Sequence, residues 1–129
     1  QLVETVIRPA LEGGRVVIAD RYVASTVAYQ AYGRGLDRGL VDRLNHEATV
    51  GLEPDVTVWL DLPAETALSR MDCTGPDTFD HAPLEFHRRV RQAYRDQAAA
   101  NPEKWIVINS SAAKRDVARQ IWEKLQPLL

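Results

Sequence analysis

The chain has 129 residues, 45% of them apolar and 26% charged, with a net charge of −2; that is the make-up of a globular domain or part of one, not of a disordered chain. The acidic balance argues against wholesale nucleic-acid binding, and no apolar run approaches the roughly 18 residues that span a bilayer. One cysteine, Cys73, allows neither an intrachain disulfide nor a cysteine-based zinc site, and without a signal-peptide pattern a cytoplasmic location is expected.

The chain opens Gln1-Leu2-Val3 and its one methionine is Met71, so residue 1 is not expected to be a translation start. Leu2, Val3, Val6, Ile7, Ala10 and Leu11 recur at helical spacing, which predicts a helix with Pro9 as a point of kinking and Gly13-Gly14 as its end. Glu4 and Arg8 stand one turn apart on its polar side. Val16-Val17-Ile18-Ala19 is an unbroken apolar run of the kind buried on both faces of a parallel sheet. Asp20 and Arg21 fall at its carboxyl end, the edge at which open α/β sheets bind ligands. A carboxylate beside a guanidinium suits a phosphate-and-metal site, because Asp ligates Mg²⁺ and Arg forks phosphate oxygens. Ser25, Thr26, Tyr29 and Gln30 follow with hydrogen-bonding groups for a base or sugar, and Tyr29 adds a ring to pack against it.

Asp37 is the expected N-cap of a helix running to about Ala48, with Leu40, Val41, Leu44 and Ala48 as its buried face. Gly51 and Pro54 stop it, and residues 56–62 read as a strand, rich in β-branched and aromatic side chains. Pro63 opens a two-turn helix that leaves Arg70 near its end. From about 71 to 83 the periodicity vanishes, and a lid-like loop is expected there. Phe86, Val90, Ala93, Tyr94 and Gln97 mark a long helix ending at Asn101-Pro102, all but one or two of its arginines read as a solvated face balanced by Glu85 and Asp96. Residues 105–108 form the last strand, Asn109-Ser110-Ser111 supply turn groups, and Val117, Ile121, Trp122 and Leu125 line a closing helix. His46, His81 and His87 are scattered without zinc spacing. Strands alternating with helices imply an α/β fold with a parallel sheet, in one partial domain spanning the chain.

In this order, Asp20-Arg21-Tyr22, Ser25-Thr26, Ala28-Tyr29-Gln30 and Gly33-Arg34-Gly35 resemble the thymidylate kinase (dTMP kinase) family. The likeness extends to Arg8-Pro9-Ala10-Leu11, Gly14, Pro54-Asp55-Val56-Thr57, Leu60-Asp61, Leu68 with Arg70, the stretch from Phe86 to Tyr94, and the last strand. It implies a three-layer parallel sheet of the P-loop nucleoside monophosphate kinase type, lacking its first two strands here. It also implies transfer of phosphate from ATP to dTMP with Mg²⁺, in a homodimer with no nucleic-acid or membrane partner. By that likeness Arg21 grips the dTMP phosphate, Asp20 lies beside the metal and the transfer centre, and Ser25, Thr26 and Gln30 face the acceptor, Thr26 towards thymine. Tyr29 crowds the place of a ribose 2′-hydroxyl, Arg91 and Tyr94 are further candidates, Arg70 and Asp77 serve the donor and lid, and Asn109 to Ala112 match a loop near adenine.

The chain departs from the family's pattern in three places. No glycine-rich phosphate loop with its lysine occurs in these residues, and Gly33-Arg34-Gly35 reads as a substrate-side turn or a helix breaker. Thr78 stands where many relatives have a lid arginine, so the transition-state charge falls to Arg70 or to the phosphate loop. Asn109 stands where relatives often have Asp. Without the central strand of such a sheet, residues 1–129 alone are expected to fold poorly and to be inactive. Two other readings stay open: a non-catalytic nucleotide-binding or dimerising module, and a kinase for another deoxynucleoside monophosphate.

Overall fold

The computed structural model describes residues 1–70 and 82–129. The lid-like loop expected at about 71–83 therefore lies almost wholly outside the described residues, and with it Asp77, Thr78, Cys73 and His81. Contacts within the chain gather into two compact units, Gln1–Pro54 and Asp55–Leu129.

The first unit is helical. Proline lacks an N–H and its ring clashes with the carbonyl four residues back in a regular α-turn. Ahead of Pro9 the chain winds instead as a wider π-turn, Val3–Ile7, in which the Arg8 N–H reaches the Val3 carbonyl, and it tightens into α1 (Arg8–Glu12) only afterwards. Gly14 ends α1 at φ 70°, with the Gly14 N–H on Leu11 O (2.9 Å) and the Arg15 N–H on Ala10 O (3.0 Å), the paired bonds of a Schellman cap. α2 (Val23–Thr26) continues as a second π-helix, Val27–Gly33, whose buried Val27 and Ala31 pack with Val41 and Tyr32. α3 (Arg38–Thr49) begins as expected at Asp37, whose carboxylate accepts from the Leu40 N–H at 2.7 Å. Of its four expected core residues Val41 is buried, whereas Leu40, Leu44 and Ala48 are exposed.

The expected strand at 16–19 is not formed. Residues 15–19 run as irregular chain, with Val16 69% and Ile18 91% exposed. An apolar, β-branched run supplies propensity, but a strand exists only where a neighbour completes its ladder. Among the described residues nothing pairs with this segment.

The second unit is α/β. β1 (Thr57–Asp61) and β2 (Trp105–Asn109) pair in parallel, in a register from Thr57↔Trp105 to Asp61↔Asn109. Between them α4 (Ala64–Arg70) and α5 (Leu84–Ala100) supply the crossover that a parallel pair requires. α6 (Lys114–Leu125) comes after β2. Alternation along the strands divides their side chains. Trp59 stacks on Tyr94 of α5 at 5.9 Å, with Trp105 edge-on to the same ring at 6.4 Å. Leu60 lies instead with Val117 and Ile121 of α6. Ile108, 1% exposed, and Ala93, Val90 and Phe86 fill the core, whereas Trp122 of α6 faces solvent.

The two ends of α3 each give a stability prediction. Asp37→Ala removes the cap and should cost about 1 kcal/mol in chemical denaturation, with Asp37→Asn near neutral; an indifferent Asp37→Ala would show that the cap bond carries no net stability. At the other end Val50 occupies the left-handed region at φ 51°, where glycine is the usual helix terminator. Val50→Gly should therefore raise stability by about 0.5–1 kcal/mol, and a lowered denaturation midpoint would count against that strain.

Candidate functional site

Two groups of candidate side chains form, one in each unit. In the first, Asp20 and Arg21 come directly after the exposed segment 15–19 and are themselves exposed. Arg21 has φ 69°. For a residue with a Cβ that left-handed conformation costs on the order of 1 kcal/mol, and it turns the chain abruptly into α2. Its guanidinium carbon lies 5.1 Å from the centre of the Tyr29 ring, a cation–π contact worth about 0.5–1 kcal/mol at an exposed site. The same π-helical stretch carries Gln30, half-buried beside Tyr29, while Ser25 and Thr26 belong to α2. Sequence-predicted residues 20, 21, 25, 26, 29 and 30 thus occupy one turn and the helix that it opens. Arg21 is brought to Tyr29, and a ring contact by itself leaves a cation's charge unneutralised and its N–H donors available for an anion.

Two hydrogen bonds hold the entrance to that helix. Tyr22, extended at φ −152°, donates its hydroxyl to Leu52 O at 3.1 Å, and Asn45 of α3 donates its amide to Val23 O at 3.4 Å. Beside Leu52, the Val50 carbonyl accepts from Arg8 at 3.1 Å.

The second group lies at the carboxyl ends of β1 and β2. Asp61 there is a hub that the spacing of sequence motifs did not single out. Its carboxylate receives both arms of Arg91, at 2.7 and 3.0 Å, and its backbone carbonyl receives the Ser110 N–H at 2.9 Å and hydroxyl at 3.0 Å. The signal was present as a carboxylate closing an apolar strand, the same pattern that drew attention to Asp20. Hydrogen bonding to Asp61 raises the Arg91 pKa above its ordinary value. Arg91, a further candidate for the acceptor nucleotide, is therefore spent on an internal ion pair, and Tyr94 is stacked in the aromatic core. Arg70 donates to the carbonyls of Ser110 at 3.1 Å and Ser111 at 3.3 Å, while the Asn109 side chain caps the Ser111 N–H at 2.9 Å. Beside this turn a shallow cleft of about 320 Å³ is lined by Leu60, Arg70, Ser110, Ala112 and Lys114. Arg70 and Asn109 are thus brought together on one turn.

Farther along the helices Arg88 bridges Glu65 of α4, at 2.6 Å, and Glu85. The Glu65 carboxyl is held below its usual value, first by its backbone hydrogen bond and then by Arg88. This bears out a balanced, solvated face for Arg88, with Glu65 as a partner that the spacing did not reveal. Among the described residues no cluster of three or more His, Cys, Asp or Glu side chains could by itself hold a metal ion.

The family model described as thymidylate kinase matches residues 1–121. A protein named thymidylate kinase from Synechococcus sp. is 46% identical over 127 residues, covering 98% of this chain and 61% of that relative. Another of that name from Desulfovibrio desulfuricans is 44% identical over 137 positions, covering all of this chain and 63% of the relative. A third, from Dehalococcoides mccartyi, is 41% identical over 128 residues, 99% of this chain and 62% of its own length. The chain thus spans about three fifths of the length of the curated relatives it matches. A family match running through both units, over residues 1–121, means that this chain belongs to the thymidylate kinase family.

Proposed function

We propose that this chain carries the acceptor-nucleotide site and lid of an enzyme that moves the γ-phosphoryl group of ATP to a phosphate oxygen of dTMP, releasing ADP and dTDP. The observation that carries the reading is the Arg21 guanidinium, presented from a left-handed turn and seated on the Tyr29 ring. A fork held by an aromatic face is oriented without being neutralised, the condition a phosphate-binding arginine has to meet. Arg21 would hold the acceptor phosphate for in-line attack, and Tyr29 would bar a ribose 2′-hydroxyl. Ser25, Thr26 and Gln30 would read the rest of the nucleotide.

The cleft beside Arg70 and the 109–112 turn would take the donor base. Arg70, held among the described residues by neutral carbonyls, would supply positive charge to the transferring group. Mg²⁺ in such reactions is held by one or two carboxylates together with nucleotide phosphates and water. The donor set fits that mode: Asp20 is an exposed carboxylate beside the phosphate-binding arginine, with no preformed cage among the described residues. The bound cation would neutralise and align phosphate oxygens, while Asp20 keeps it on the acceptor side. We also propose that both units belong to one partial domain of the three-layer P-loop type, whose first two strands lie outside these residues, and that the enzyme is a cytoplasmic homodimer. The exposure of Val16 and Ile18 supports the missing strands, because both are apolar side chains suited to a sheet interior. Among the described residues no helix is long and apolar enough to cross a membrane.

Two assays test this. In the full-length protein Arg21→Ala should raise the KM for dTMP by about tenfold to a hundredfold, the range for losing a charge-assisted hydrogen bond; an unchanged KM removes Arg21 from this role. Residues 1–129 alone should produce no dTDP from dTMP and ATP, since they contain no glycine-rich phosphate loop. Turnover by that segment would mean that the donor site has been misplaced.

A further inference from the structure

Arg21 and Val50 are the only non-glycine residues with positive φ among those described, and hydrogen bonds connect their neighbourhoods. Tyr22, immediately after Arg21, donates its hydroxyl to the carbonyl of Leu52, two residues past Val50. Asn45, one turn before the end of α3, donates to the carbonyl of Val23 from the other side. Both bonds are partly buried, and both grip the chain within two residues of Arg21. Neither touches the guanidinium.

A left-handed arginine relaxes to an ordinary conformation unless its flanks are fixed. On its carboxyl side the Tyr22 and Asn45 bonds supply such a restraint. Relaxation of φ at residue 21 would swing the side chain away from the Tyr29 ring on which it now rests.

We infer that Tyr22 and Asn45 are positioning residues for the phosphate-binding arginine: through Leu52 O and Val23 O they hold Arg21 in its left-handed turn, and so set affinity for the phosphate of the acceptor nucleotide and not for its base or sugar. The inference rests on the assignment of Arg21 to the dTMP phosphate and adds the residues that keep it there.

The test uses the full-length protein with dTMP and thymidine as paired ligands, since thymidine lacks the phosphate. Tyr22→Phe keeps the ring and deletes the hydroxyl. It should weaken dTMP binding by about fivefold to tenfold, the size of one partly buried hydrogen bond, and leave thymidine binding unchanged. Asn45→Asp, which keeps the shape and removes the donor, should act in the same direction. In an Arg21→Ala background the Tyr22→Phe loss should disappear, because a residue acting only through Arg21 has nothing left to act on. Equal losses for dTMP and thymidine, a loss that survives in the Arg21→Ala background, or no loss at all would each overturn the inference while leaving the Arg21 assignment standing. Wild-type dTMP affinity in the Arg21→Ala protein overturns that assignment and this inference together.

Discussion

A guanidinium is best offered to a ligand anion when the fold orients it without neutralising it, and five arginines among the described residues divide on that constraint. Arg38, Arg88 and Arg91 are held by carboxylates, Arg91 with both arms. Their charge is spent internally: Arg38 pairs within α3, Arg88 ties α5 to α4, and Arg91 ties α5 to the end of β1. Arg21 lies on a tyrosine ring and Arg70 on two backbone carbonyls. Neutral partners set direction and leave the positive charge for phosphate oxygens. Arg21 and Arg70 are both among the residues expected to serve transfer.

The supports of these two side chains differ in kind. Arg70 depends on a relay of ordinary geometry: the Arg91 fork fixes the Asp61 carboxylate, the Asp61 carbonyl fixes Ser110, and the carbonyls of Ser110 and Ser111 receive Arg70. Each step is a hydrogen bond of normal length on the carboxyl edge of a paired strand, where parallel sheets gather their ligands. Arg21 depends on a conformation that its own backbone disfavours, stabilised by the residues on its carboxyl side. Strain of this kind persists only where the surroundings over-determine it, and the Tyr22 and Asn45 bonds are the restraints that the first unit provides.

The candidate site was more legible than the fold around it. The order Asp20, Arg21, Ser25, Thr26, Tyr29, Gln30 is local, so a short stretch of sequence suffices to place all six on one turn and helix. The same holds for the Asp37 cap and the glycine end of α1, where side chain and partner are a few residues apart. Asp61 was noticed only as part of the family likeness, and its role as a hub was not, because that role comes from Arg91, thirty positions away, and no spacing rule links a strand end to the middle of a later helix. Leu40 and Leu44 have helical periodicity and remain exposed, since periodicity identifies a face and not whether anything covers it.

The sequence by itself determined the element types with local causes: caps, turns, two of the strands, and a polar run with the composition of a nucleotide site. Tertiary structure decided which apolar runs became sheet and which charges stayed available. Residues 57–61 and 105–109 are strands because each is the other's partner, whereas the equally apolar 16–19 lacks a neighbour among the described residues and stays irregular. Strand formation and charge neutralisation are both pairwise events between distant positions. Propensity proposes one partner at a time, and only the folded chain brings in the other.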